Sequence, residues 1–360
     1  MATTIEDATP DLRPAALAAG VATVAHARRS ERARAVAVAI TVAAVGFGVF
    51  CVSLSVGDFP VPVVDVVPAV FGYGDASTHF IVHTLRLPRA LTGLLVGASF
   101  GFSGAVFQAL TRNPLASPDI IGINAGAAAG AVLVIVVIAG SATAVATGAL
   151  VGGLATAAAI YALAYKRGLS SYRLVLVGIG IGAALTAVTE YLLTRAEIHD
   201  AQRAAVWLTG SLNGRGWDHV RPLTVVAVVL FPAVVILGRR LRVLQLGDDT
   251  ATGLGLTVER SRGALVLVAV ILAAVATASA GPIVFVAFMA PAIARRLTRA
   301  PGLSLIPSAL CGAVLVIAAD LVGRRILAPR ELPVGIITGV IGGPYLLWLL
   351  ARANKVGAGG

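Results

Sequence analysis

Apolar residues run along this chain in blocks of about twenty, separated by short clusters of charge, a block length that matches the thickness of a bilayer's hydrocarbon core. Residues 35–54, 90–111, 300–319 and 332–351 each read as one spanning helix. Residues 120–165 carry no charge in 46 positions, long enough for two helices with a break near Gly140-Ser141. Residues 174–194, interrupted only by Glu190, and the shorter 222–238 add one span each. Residues 263–294 are charge-free around Gly281-Pro282, which predicts a full helix, a turn and a second helix reaching towards Thr298. The pattern predicts nine or ten spans in an all-α, polytopic membrane protein. The polar stretch 1–34 reads as a disordered cytoplasmic tail, 35–351 as the membrane domain and 352–360 as a short cytoplasmic end.

Composition agrees. Only 12% of the 360 residues are charged and 58% are hydrophobic, with a mean hydropathy of +0.92; soluble domains carry about 25% charged residues. A water-soluble enzyme, a disordered chain and a nucleic-acid-binding domain are thereby excluded. The net charge of +11 reads instead as topology, because Lys and Arg collect on the cytoplasmic side of membrane proteins. With ten spans and the N-terminus inside, 19 of the 28 basic residues fall on cytoplasmic segments and nine outside: Arg86, Arg89, Arg195, Arg203, Arg215, Arg221, Arg324, Arg325 and Arg330. The split places both termini in the cytoplasm, yet nine outer arginines are more than orientation needs.

Little chemistry is written along the chain. Cys51 and Cys311 lie inside apolar runs and the five histidines are scattered, so neither a disulfide framework nor a metal-ligand spacing is present. Neither lysine, Lys166 or Lys355, follows a phosphate-cradling glycine loop. Glu190 and Asp320, the chief ionisable residues within spans, sit near predicted span ends. There, capping or pairing with arginine outweighs proton relay, which weakens an ion-coupled carrier reading. Glycines recur four apart at Gly93/Gly97/Gly101, Gly122/Gly126/Gly130, Gly178/Gly182 and Gly335/Gly339/Gly343. Such ridges let helix backbones approach closely in lipid; close packing is the main reading for each, and a place along a pathway the minority one.

The segment 239–262, between the sixth and seventh spans, is too long for a connector and too apolar for a solvated loop, with Leu241, Leu244, Leu246, Leu254 and Leu256. Gly247 and Gly255 divide it into two short predicted helices, with Asp248 and Asp249 opening the second, where acidic residues suit the helix dipole. Two readings stand side by side: a docking site for a soluble partner, or an amphipathic segment lying on the membrane.

Five blocks carry a resemblance: RLPRALTGLLVGASFGFSGAVFQALTRNPLASPDIIGINAGAAAGA (86–131), WLTGSLNGRGW (207–217), LGDDTATGLG (246–255), AGPIVFVAFMAPAIARRLTR (280–299) and AADLVGRRILAPRELPVGIITGVIGGPYLLWLL (318–350). In type and order they resemble the FecCD family of ABC-transporter permeases, type II importers for ferric siderophores, haem and cobalamin. The resemblance implies that family's ten-span fold. It implies that Leu246, Gly247, Asp248, Ala251, Leu254 and Gly255 form the loop that engages an ATPase subunit, and that Arg86, Arg89 and Arg324 meet acidic residues on an extracytoplasmic binding protein, with anchoring at the membrane interface as the alternative for Arg86 and Arg89. It further implies two permease chains, identical or paralogous, with Gly178, Gly182, Gly335 and Gly339 adjoining the pathway, and two ATPase copies. No cofactor is expected on this chain: ATP and magnesium belong to the ATPase, and iron travels as a chelate. Where many members carry Pro-His, this chain has Pro291-Ala292, a departure that favours a siderophore over cobalamin. The expected function is a ferric-siderophore permease subunit of a bacterial cytoplasmic membrane; cobalamin or haem import and an ion-coupled carrier are the alternatives.

Overall fold

A computed structural model describes residues 14–57, 59–73, 75–165, 171–299 and 303–357. The first thirteen residues of the expected tail, Lys166 and Arg167, and the expected start of a span at position 300 lie outside them. The described residues fold into helices connected by short turns. Ten of the helices cross the bundle: α1 (Pro14–Ser55), α4 (Leu87–Thr111), α5 (Ile123–Leu133), α6 (Ala142–Ala164), α7 (Ser171–Arg195), α9 (Trp217–Leu244), α11 (Val258–Ala280), α12 (Val286–Thr298), α13 (Leu305–Arg325) and α14 (Val334–Gly357). Four short helices join them: α2 (Val63–Val70), α3 (Ala76–His79), α8 (Ile198–Leu208) and α10 (Asp248–Gly253).

Eight helices among the described residues are long and apolar enough to cross a membrane unaided. The other two crossings are short for physical reasons. The stretch before α5 turns at Gly122, whose φ of +86° is open to glycine and strained for other residues; α5 then gains length from a π-helical turn, Val134–Ile138. The break expected at Gly140-Ser141 is present, with the Ser141 hydroxyl capping α6 by accepting from the Ala144 amide. The 13 residues of α12 rise about 20 Å, and Gly281 (φ +76°) turns the chain between α11 and α12. The predicted helix–turn–helix over 263–298 is therefore observed.

The disorder expected of the N-terminal tail does not extend to residues 14–34. Helix α1 begins at Pro14, so residues 14–34 are helical rather than unstructured; Ala and Arg, good helix formers, dominate them. Likewise α14 continues through Gly357. The segment 239–262 also differs from expectation: 239–244 extends α9, leaving one separate short helix, α10, in place of two.

Helix α4 is the axis of the bundle, packed among α9, α11, α12 and α13. Its glycine ridge explains how. A Cβ on Gly97 would meet the Gly312 carbonyl oxygen of α13, one on Gly101 the Ser308 carbonyl, and one on Gly104 the Ala287 carbonyl of α12. Gly126 and Gly130 of α5 meet Gly152 and Gly148 of α6 in the same way. Large side chains such as Phe100, Phe107, Leu241 and Leu272 fill the spaces between these crossings. Elsewhere apolar residues face outward: Val36, Ile40 and Phe47 on α1, Leu176 and Ile179 on α7, Val340 and Leu347 on α14. Outward apolar faces on this many helices are what a lipid-solvated bundle requires.

Candidate functional site

The polar groups gather at the two ends of the bundle. At one end, Arg89 on the first turn of α4 faces Asp320 near the end of α13. Arg89 Nη2 lies 2.9 Å from Asp320 Oδ1, and Arg89 Nη1 lies 3.0 Å from Glu331 Oε2 on the α13–α14 turn. One turn beyond Asp320, Arg324 Nε approaches Asp320 Oδ2 at 3.2 Å. Asp320 is 3% exposed, so one buried carboxylate serves two guanidiniums. The reading of Asp320 as an arginine partner rather than a proton relay matches this geometry.

Arg324 also donates to the hydroxyl and the carbonyl of Ser53. Arg86, buried, donates to the carbonyls of Leu54 (2.8 Å), Ser55 (3.1 Å) and Phe59 (2.5 Å). The carbonyls of Ser53, Leu54 and Ser55 end α1, where a helix leaves acceptors without intrahelical partners and where its dipole favours positive charge, while Phe59 lies in the loop that follows. The three arginines expected to meet a binding protein, Arg86, Arg89 and Arg324, all have partners within the chain. Arg86 and Arg324 cap α1 from inside the fold, and Arg89 is engaged by two carboxylates. Outward charge at this end is carried by the exposed Arg325 and Arg330, together with the exposed Arg195, Arg203 and Arg221. Residue type and segment are legible in the sequence; the direction of these side chains is not.

At the opposite end lies α10. Gly247 (φ +113°) and Gly255 (φ +80°) turn the chain into and out of it. Ala251 is fully buried against the bundle, and Arg262 on α11 pairs with Asp248 at 2.9 Å. The Arg112 guanidinium donates to the Leu244 carbonyl at 3.0 Å, fixing the corner where α9 ends. The loop is therefore anchored, while Leu246 (62% exposed) and Leu254 (65%) stand out from it on either side of Ala251. Two exposed leucines held on a braced helical turn form an apolar knob. Leu246, Gly247, Asp248, Ala251, Leu254 and Gly255 are brought together as one local unit.

The four glycines considered for a pathway divide. Gly178 and Gly182 of α7 pack on the Ile121-Gly122 turn, a Cβ on Gly178 falling 2.5 Å from the Ile121 carbonyl oxygen. Gly335 opens α14 against the Thr209 carbonyl and donates its amide to Gly210 O at 3.1 Å. These three serve close packing within the chain. Gly339, half-buried, has only Val284 Cγ2 near its missing Cβ, at 3.7 Å.

Helix α8 escaped sequence reading. Its 11 residues lie in what reads as the connection between two spans, and its apolar residues are too few to form a recognisable block. The signal is nevertheless present: His199, Gln202, Arg203, Val206 and Trp207 are spaced 3, 1, 3 and 1 apart, one face of a helix. That face lines a cavity of about 950 Å³ at the Arg89 end, whose wall also includes Arg215, Glu331 and residues of α6.

Ten crossings on a glycine-packed axis, with a braced cationic cluster at one end and a protruding apolar loop at the other, define a multi-pass membrane protein. The model of the FecCD transport family matches residues 37–352, and the chain belongs to that family. It is 44% identical over 290 residues to the ferric enterobactin transport system permease protein FepG of Escherichia coli (strain K12), covering 81% of this chain and 88% of the relative. It is 40% identical over 315 residues to the iron(3+)-hydroxamate import system permease protein FhuG of Bacillus subtilis (strain 168), covering 85% and 94%. Among solved structures, a metal-chelate type ABC transporter in an inward-facing conformation matches with a TM-score of 0.78 at 27% identity, over 87% of this chain and 98% of the other.

Proposed function

We propose that this chain is the membrane subunit of an ATP-driven importer that carries a ferric siderophore across the cytoplasmic membrane. Two such chains, identical or paralogous, enclose the pathway. A binding protein delivers the chelate to the Arg89 end, and two ATPase subunits act on the α10 end, where ATP is hydrolysed on the partner. The 19 of 28 basic residues that the sequence assigns to cytoplasmic segments support a reading in which the α10 side and both termini face the cytoplasm. Family membership supports the importer class, and the names of the ferric enterobactin and iron-hydroxamate relatives support the cargo.

The observation that carries the reading is the knob of α10. A segment folded back on the bundle would bury Leu246 and Leu254. Here they project from a turn pinned by Ala251 and the Asp248–Arg262 pair. An anchored projection transmits the motion of whatever grips it. The permease itself needs only differential contacts with its cargo in its two access states, because a ligand shifts an equilibrium only by its differential affinity. Docking of the binding protein falls to the exposed Arg325 and Arg330, at the end of α13 and on the turn that follows it. Complementary charge of this kind sets encounter rate and register more than affinity.

Burying a leucine contributes roughly 1.5–3 kcal/mol. The double change Leu246→Glu with Leu254→Glu therefore weakens ATPase association by at least about 100-fold. Co-purification from detergent with the partner ATPase reads this out, and size-exclusion elution checks that the fold is intact. An intact variant that recruits its ATPase normally returns the loop to the membrane-surface reading.

A further inference from the structure

Resting on the import reading above, we infer that the α8 basin is a cargo-binding site selective for anionic ferric chelates, with Arg215 as its charge-recognising residue. Three observations converge. First, the basin is concave and holds about 950 Å³, at the upper end of the volumes typical of small-molecule sites; a flat protein surface would not fill it. Second, its polar groups converge from α8, from the connection that carries Ser211, Asn213 and Arg215, and from Arg89 and Glu331. His199, Gln202 and Arg203 of α8 supply hydrogen-bonding groups, and Trp207 one helical turn further along adds an aromatic wall.

Third, the charges in the wall are unequally satisfied. Arg89 is neutralised by Asp320 and Glu331, and Arg203 pairs with Asp200 at 3.2 Å. Arg215 has no carboxylate within ion-pair distance among the described residues. It is half-buried, its Nε donates to the Ser211 carbonyl at 3.2 Å, and its Nη1 lies 3.0 Å from His219 Nε2. Those contacts aim the guanidinium without cancelling its charge. A half-buried cation lacking a counter-charge is a standing cost that an anion entering the basin removes, and guanidinium is the side chain best shaped for carboxylate and catecholate oxygens.

The chemical consequence is a choice between cargo classes. A ferric tris-catecholate is a trianion, whereas a ferric tri-hydroxamate is neutral. The basin should hold the first more tightly, through charge-assisted hydrogen bonds to Arg215. Equilibrium dialysis of the full-length chain in lipid nanodiscs, with each of these two complexes labelled with radioiron, tests this. The expected result is saturable binding of the tris-catecholate about tenfold tighter than the tri-hydroxamate. The ratio falls towards one in Arg215→Gln and is largely kept in Arg215→Lys; because it is a ratio, partial unfolding of a variant does not imitate it. Equal affinities in the unaltered chain, a ratio unmoved by Arg215→Gln, or no saturable binding overturns the inference. ATP-driven uptake of ferric chelate by the assembled transporter would in each case leave the import reading intact; its absence would remove that reading as well.

Discussion

Replacing Asp320 with alanine is expected to cost the folded chain about 3–5 kcal/mol, the range found when one partner of a buried ion pair is removed. The carboxylate is 3% exposed and lies between Arg89, at 2.9 Å, and Arg324, at 3.2 Å. Without it two guanidiniums face each other across a desolvated gap, and Arg324, which also holds the Ser53 carbonyl at the end of α1, is pushed from its position. The damage therefore reaches α1 as well as α13. Glu331→Ala is the matched comparison. Glu331 is exposed and touches Arg89 from the solvent side, so its loss should cost under about 1 kcal/mol. Denaturant unfolding in mixed micelles measures both, and similar small losses would show that the cluster is not a structural unit.

The second large effect lies on the α4–α13 seam. Gly97→Ala places a methyl group against the Gly312 carbonyl oxygen, and Gly312→Ala places one against the Gly97 carbonyl. The contacts are with backbone, which cannot rotate away, so each change should cost about 1–3 kcal/mol or more as an overpacking defect. Because both push the same two helices apart, the double variant should cost less than the sum of the singles. Gly343→Ala should be neutral, since nothing lies within 4 Å of its missing Cβ. Thermal melting of the purified chain separates these outcomes, and a neutral Gly97→Ala would mean the helices are farther apart than described.

That contrast shows what was legible in the sequence. Gly97 and Gly343 belong to series with the same four-residue spacing, and spacing reports that two residues share a helix face without saying what the face meets. Charge-free run length is a different kind of signal, because the bilayer reads it directly; the spans and the breaks at Gly140-Ser141 and Gly281-Pro282 were visible for that reason. Helix α12 is the difficult crossing, since its 13 residues are too short an apolar run to stand out as a span. Helix α8 was missed because a short helix wedged between spans needs no long apolar block.

The arginines carry a related lesson. Arg86, Arg324 and Arg325 are indistinguishable by type and segment, yet the first two turn inward to carbonyls of α1 while the third points out. Direction depends on where α1 ends relative to α4 and α13, a tertiary fact. The α10 loop was more transparent. Its glycines mark turns and its leucines exceed what a solvated loop needs, so its protruding form could be anticipated, apart from the boundary with α9.

The central claim, that this chain works as the membrane subunit of an ATP-driven ferric-chelate importer, is tested most directly by uptake into proteoliposomes. The full chain is reconstituted with its partner permease where there is one, its ATPase and its binding protein, and accumulation of radioiron chelate is followed. The account predicts uptake that requires ATP and the ATPase subunit and is unchanged when proton and sodium gradients are collapsed. Uptake that persists without ATP or the ATPase and follows an ion gradient would contradict it and restore the secondary-carrier alternative.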